Sequence, residues 1–269
     1  MMNNNLFTKE LKRNRKNLTI WSTITVGFTF MILSIYPFMQ EMGQDLTVMM
    51  DKMPAELSKA MGMDSQTWSS ILGFYSTYYG IYIIVLIGIF STSTAATIIS
   101  KEEKDGTSEF LLTKPLSRKS IFVSKLASLS ILVLIIYLLQ SIFAGIGMSL
   151  FNDMETDWST LFVMHIHGLV LILFFSCIGV LISMFVKPKK NFMGMVVGIV
   201  FGSYFLDAIG KATEATNWIS YISPFHYLSF SVNDPDFQVN YLSALVLLLI
   251  GAAMLVFSYT VYKKKDIGA

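Results

Sequence analysis

The chain has 269 residues, of which 54% are apolar and only 14% charged, against roughly a quarter charged in ordinary soluble domains. The apolar residues gather in long blocks, which excludes a soluble globular domain and predicts an all-α polytopic membrane protein. The net charge of +2 is the sum of a basic face and an acidic face, and no nucleic-acid partner is expected, because the basic residues stand where anionic lipid headgroups lie.

Residues 1–17 hold Leu6, Phe7 and Leu11 among five basic residues. Phe7 and Leu11 are four apart and share a helical face, so a short amphipathic helix on the inner leaflet is expected; the alternative is a plain basic flank. Residues 18–39 form the first apolar block. It is longer than a signal-peptide core and no small-x-small cleavage site follows, so it is expected to be retained as a span.

An outer loop over 40–70 carries six methionines and five acids. Within it Pro54–Met61 reads as a short helix with Pro at its first turn, ended by Gly62. The scattered sulfurs are a poor copper site, and a lid of amphipathic helices on the outer leaflet fits better.

The second span, 71–99, has Tyr75, Tyr78, Tyr79 and Tyr82 toward its outer end, as in an interfacial belt. Ser91, Thr92, Ser93, Thr94 and Thr97 follow toward its inner end, where packing hydrogen bonds are expected. An inner charged loop covers 100–125, a third span 126–151 and a fourth 160–186. The single cysteine, Cys177, lies in the fourth span and excludes an intrachain disulfide. His165 and His167 point about 200° apart on a helix and are expected to be hydrogen-bonded side chains rather than joint metal ligands.

The fifth span, 192–210, is the least apolar, because Asp207 and Lys211 interrupt it. Gly194, Gly198 and Gly202 share one of its faces and permit close helix packing, within one subunit or between two. Residues 211–240, with Trp218, Tyr221, Phe225, Tyr227, His226 and Phe230 around Pro224, suggest a re-entrant or interfacial pair of short helices. The sixth span is 241–262. Together these make a single transmembrane domain over 1–269.

Six spans put both termini on one side. That side holds 17 of the 20 basic residues, with only Lys52, Lys59 and Lys211 opposite, so both ends are expected in the cytoplasm. The chain has no G-x-x-x-x-G-K-[ST] phosphate loop, no H-E-x-x-H and no G-x-S-x-G. Almost no buried charge is expected inside the spans, hence no proton or sodium relay. No pair of intramembrane acids or nucleophile constellation suggests an embedded enzyme. A chain without an ATP site, yet with an elaborate inner loop, suggests energy delivered by another subunit.

That loop is ordered: an acidic cluster, a Gly106–Thr107 break, a short helix-forming stretch, Pro115, then basic residues. Thr107 suits a helix N-cap and Glu109 the positive end of the helix dipole. Phe110, Leu111 and Leu112 offer an apolar edge, Pro115 stops the helix and Ser117 suits the cap of the next. Arg118, Lys119 and Lys125 are expected at the headgroups. The alternative is an ordinary charged connecting loop.

Glu102-x-x-x-Gly106-Thr107-x-Glu109-x-x-Leu112-x-x-Pro115-x-Ser117-Arg118 resembles the coupling-helix region of ABC-2 type exporter permeases. Ile222-Ser223-Pro224-Phe225-x-Tyr227 before the last span, and the basic N-terminal helix, are similar to that family too. Glu103 departs from it, since the family often has a basic residue there. The resemblance implies the six-helix ABC-2 (type V exporter) architecture in a cell membrane. It implies that Glu102, Gly106, Thr107, Glu109, Phe110, Leu111, Leu112, Pro115 and Arg118 couple to a separate nucleotide-binding ATPase subunit, and that a second permease copy or a sister permease completes the pair. ATP and magnesium would sit on the ATPase subunit and no cofactor on this chain. The implied cargo is an amphipathic or hydrophobic peptide, toxin or drug. Alternatives are a sodium or polymer exporter, or a sensor or immunity subunit that binds a peptide without moving it.

Overall fold

Six helices long and apolar enough to cross a bilayer dominate the computed structural model, which describes residues 2–42, 48, 52–54, 56–58, 70–107, 116–152, 155–186, 192–233 and 237–264. Among the described residues there is no strand. Most of the methionine-rich outer loop, and half of the Pro54–Met61 segment, lie outside them.

The first helix, α1 (Asn4–Glu41), starts at Asn3, whose side chain accepts from the Leu6 amide at 2.9 Å. At 38 residues it is about 57 Å long, well beyond the roughly 30 Å of hydrocarbon. The amphipathic segment and the first span are therefore one unbroken rod, and its basic end projects past the bilayer core. The second span has three parts: α2 (Ile71–Tyr78), a π-helical segment Tyr79–Ile84, and α3 (Val85–Lys104). The rest are α4 (Arg118–Phe151), α5 (Trp158–Phe185), α6 (Met193–Ala212), the single turns α7 (Asn217–Ser220) and α8 (Pro224–Tyr227), and α9 (Tyr241–Lys264).

The second span is the centre of the bundle: 83% of its most apolar stretch is buried, against 22% for α1, α6 and α9. α3 packs on α5, with α4 and α6 beside it; α1 lies along α4 and α9 along α5. Small residues set the closest approach, as expected where lipid supplies no hydrophobic drive between helices. A Cβ on Gly179 would collide with the Thr92 carbonyl, and one on Gly168 with the hydroxyls of Tyr79 and Tyr137. The inner Ser/Thr run serves packing: the Thr92 hydroxyl donates to the Phe175 carbonyl at 3.1 Å, and Ser91, Ser93 and Thr97 bond carbonyls of their own helix.

The π segment widens the helix where the core is polar. Tyr79 and Tyr137 meet hydroxyl to hydroxyl at 2.8 Å, Tyr137 donates to the His165 carbonyl, and Gln140 Nε2 donates to the Tyr75 hydroxyl at 2.6 Å. His167 Nε2 accepts from the Asn240 amide at 3.1 Å, which leaves Nδ1 to donate to the Ser229 carbonyl at 2.8 Å. Both helix-five histidines are thus hydrogen-bonded, His165 through Nδ1 to the Leu161 carbonyl at 2.9 Å.

Two expectations differ from the structure. Charge is buried after all, at Glu10, Lys125 and Asp207. Asp207 does not end the fifth span, because Lys211 one turn on pairs with it at 2.6 Å and the helix runs through both. The outer segment folds back on α6: Ser223 donates to the Ser203 carbonyl at 2.6 Å, and a Cβ on Gly210 would strike Ser220. By contrast, a Cβ on Gly194, Gly198 or Gly202 would meet nothing within 4 Å, so these glycines mark no close approach between the described residues of this chain.

Asp157 caps α5, accepting from the amides and hydroxyls of Ser159 and Thr160. These bonds, the Thr160 hydroxyl first, hold its carboxyl down to about 2.

Gly179→Ala is expected to lower the thermal midpoint of the detergent-purified chain through an overpacking cost of about 1–3 kcal/mol. Gly27→Ala, where an added Cβ meets nothing within 4 Å, should leave the midpoint in place. Equal midpoints would contradict the close α3–α5 contact. The Asp157 cap has a folded value below the ordinary carboxylate range, so its stabilisation is complete above that range and is lost as pH falls through about 2. Amide exchange at Ser159 and Thr160 should therefore lose protection between about pH 4 and about pH 2, and Asp157→Asn should abolish that dependence.

Candidate functional site

The inner ends of α1, α3, α4 and α9 converge around the loop that joins α3 to α4. α3 stops in a Schellman turn: Gly106 has φ +67°, a backbone state open to glycine at little cost, and the Thr107 amide donates to the Glu102 carbonyl at 2.9 Å. Thr107 thus finishes one helix by its backbone. Residues 108–115, with Glu109, Phe110, Leu111, Leu112 and Pro115, lie outside the described residues. α4 restarts at Ser117, whose hydroxyl accepts from the Ser120 amide at 3.1 Å.

The centre of the arrangement is Lys125. It is not at the headgroups, as the sequence suggested, but fully buried. Its ammonium donates to the Glu102 carboxylate and to the Ile98 carbonyl. Both acceptors lie on the last turns of α3, so one α4 side chain ties α3 at two points. Glu10 of α1 is also fully buried, and neither carboxylate oxygen has a hydrogen-bond partner. Lys125 is its strongest attractive charge, followed by Arg13 and Lys101, while Glu102 repels it. The ammonium therefore sits in the field of two carboxylates from two helices.

Further ties surround this pair. Arg13 of α1 bonds Asp105 at 2.7 Å. The Asn3 amide donates to Ser124 Oγ at 2.7 Å, and Ser128 Oγ donates to the Phe7 carbonyl at 3.1 Å, fixing the start of α1 on α4. Arg118 donates to the Tyr262 and Lys263 carbonyls at 3.3 and 2.9 Å, placing a cation at the negative end of α9. Phe122 packs against the rings of Tyr259 and Tyr262, both with centroids 5.4 Å away.

Of the residues the sequence assigned to coupling, Glu102, Gly106, Thr107 and Arg118 are all found at the two roots of the loop. Glu102 and Arg118 are turned into intramolecular bonds, to Lys125 and to the end of α9. Sequence reasoning missed Glu10, Arg13, Asp105 and the role of Lys125. A signal was present: Ile121, Phe122, Lys125, Ser128 and Leu129 recur at the spacing of one helical face. A lysine on an inward stripe is expensive unless paired.

A second feature lies in the outer half. A cavity of about 400 Å³ opens between the π segment and α6, walled by Tyr78, Ile81, Tyr82, Tyr204, Phe205 and Ile209. Its polar groups are few, at Thr77, Thr213 and Thr216.

Compared with known proteins, residues 4–267 match a family model described as ABC-2 family transporter protein. Among curated proteins no match is found.

Lys125→Met removes the ammonium and strands Glu102 and Glu10. It is expected to cost about 3–5 kcal/mol in equilibrium unfolding in mixed detergent, and Glu102→Gln in the same chain should restore part of it. Arg13→Ala breaks an exposed pair and should cost only about 0.2–1 kcal/mol. Similar losses for the two single variants would contradict the central place of Lys125.

Proposed function

The chain belongs to the ABC-2 family of transporter proteins, and from that premise we propose that this permease exports an amphipathic or hydrophobic cargo, driven through the 105–117 loop by a separate ATPase subunit. As a family member it is a multi-pass transmembrane subunit of an ABC transporter and not its ATPase. ATP and magnesium are held by the partner subunit, and this chain binds neither.

The observation that carries the coupling reading is the bracing of the loop at both roots. Its first root is held through Glu102 and Asp105, and its second through Lys125 and Arg118, to α1, α3, α4 and α9. A push on the 108–115 segment by a closing ATPase subunit therefore loads four helices at once. A loop serving only as a connection gains nothing from such bracing.

The cargo class is supported by the cavity walled by Tyr78, Tyr82, Tyr204 and Phe205, which suits apolar or aromatic groups and offers few hydrogen bonds. Peptides, toxins and lipophilic drugs have this character, and the site of export is the cell membrane. Two permeases pair to form the unit. The uncovered Gly194, Gly198 and Gly202 face of α6 supports that pairing, since small residues admit a second helix closely.

Alanine at both Glu109 and Leu112 is expected to abolish co-purification of the ATPase subunit while leaving the permease's thermal midpoint unchanged, since the brace is built from Glu102, Asp105, Lys125 and Arg118. Retained co-purification, with ATPase activity still responding to cargo, would overturn the coupling role.

A further inference from the structure

The brace places one buried cation between two carboxylates and bonds it to only one of them. Lys125 donates to the Glu102 carboxylate and to the Ile98 carbonyl, which engages two of the three protons an ammonium carries. Glu10 of α1 is fully buried, and neither of its oxygens has a hydrogen-bond partner. A buried carboxylate left in this way is a standing cost to the fold. Glu10 is sealed where α1 meets α3 and α4, so any partner for it must come from the protein itself.

The charged groups around Glu10 are Lys125, Glu102, Arg13 and Lys101. Glu102 repels it. Arg13 is spent on Asp105 at 2.7 Å, and Lys101 is half-buried with water in reach. Lys125 attracts it most strongly, is fully buried and has a proton to spare. The two carboxylates also stand on different parts of the machine. Glu10 belongs to α1, which is fixed along α4 by the Asn3 amide on Ser124 Oγ and by Ser128 Oγ on the Phe7 carbonyl. Glu102 belongs to the last turn of α3, the element that leads into the 108–115 segment.

We propose that Glu10 is the second acceptor of the Lys125 ammonium: when the ATPase subunit displaces the end of α3, the ammonium leaves Glu102 and passes to Glu10. The inference rests on the coupling reading for the force that moves α3. The exchange moves no proton and keeps the buried cation paired in both positions, which avoids the large cost of burying it alone. A lysine stem is flexible enough to swing its tip while its backbone stays on α4. Glu102, whose side chain is 14% exposed, turns to water once released, as the sealed Glu10 cannot. The Arg13–Asp105 bond, which also joins α1 to the end of α3, is exposed and yields at little cost. The brace is then a latch with two positions, in which α3 moves against the frame of α1 and α4.

The test has two arms. The first reads thermal midpoints of the detergent-purified permease alone. Glu10→Gln should leave the midpoint within about 2 °C, because the resting state does not bond that carboxylate. Glu102→Gln should lower it by only about 2–4 °C, because the ammonium falls back on Glu10. Both substitutions together should lower it by about 8 °C or more, well beyond the sum. Additive shifts, or a loss for Glu10→Gln equal to that for Glu102→Gln, would overturn the proposal. The second arm uses the complex in lipid nanodiscs with a hydrolysis-blocked ATPase subunit and measures the equilibrium constant for ATP trapping. Glu102→Gln should raise it about tenfold and Glu10→Gln lower it about tenfold, since one carboxylate holds the resting position and the other the displaced one. Shifts of the same sign would overturn the proposal. Failure of the wild-type permease to bind the ATPase subunit would remove the coupling reading instead, and the midpoints then decide the lysine exchange by themselves.

Discussion

The buried ammonium of Lys125 is the constraint on which the inner half of this protein depends. A charge out of contact with water must be matched nearby or it destabilises the fold. Here it is matched by Glu102 and the Ile98 carbonyl on α3, within the field of Glu10 on α1. Meeting that need fixes the register of three helices at the two roots of the 108–115 segment, the place where we propose that the ATPase subunit acts. On the proposed coupling role, a lysine at this position links an electrostatic requirement of folding to the transmission of force. Around it, Arg13 with Asp105 and Arg118 with the end of α9 extend the same block.

The outer half is organised on another principle. Close approach depends on a glycine at Gly168, and the π segment opens the central span where Tyr79 meets Tyr137. The Tyr79 and Tyr137 hydroxyls pair with each other, and the Gln140 amide pairs with the Tyr75 hydroxyl. This polar seam stiffens the centre, whereas the surfaces of α1, α6 and α9 stay open to lipid or to another subunit. The result is a rigid middle with an apolar cavity on one side.

Much of this was legible in the residues. Block length pointed to six spans, and the Gly106–Thr107 break and Ser117 cap lie where α3 ends and α4 begins. What stayed hidden was pairing across helices. Nothing local to Lys125 says that Glu102, twenty-three positions earlier, will meet it, and charge rules place an isolated lysine at headgroups by default. Glu10 was hidden in the same way, inside a run of basic residues that reads as a flank. The unbroken course of α1 was also hidden, because amphipathic and apolar segments have different compositions but share one helical period. Asp207 looked like an interruption until its partner one turn away was in place.

The claim at the centre of this account is that the inner ends of α1, α4 and α9 move as one block when the ATPase subunit acts. Spin labels at the exposed positions Lys12, Lys119 and Lys263 report the three mutual distances directly, in the complex with its ATPase, with and without trapped ATP. The account requires those three distances to stay unchanged between the two states while their distances to a label on the ATPase subunit shift. Separation of Lys12 from Lys119 on trapping ATP would contradict it.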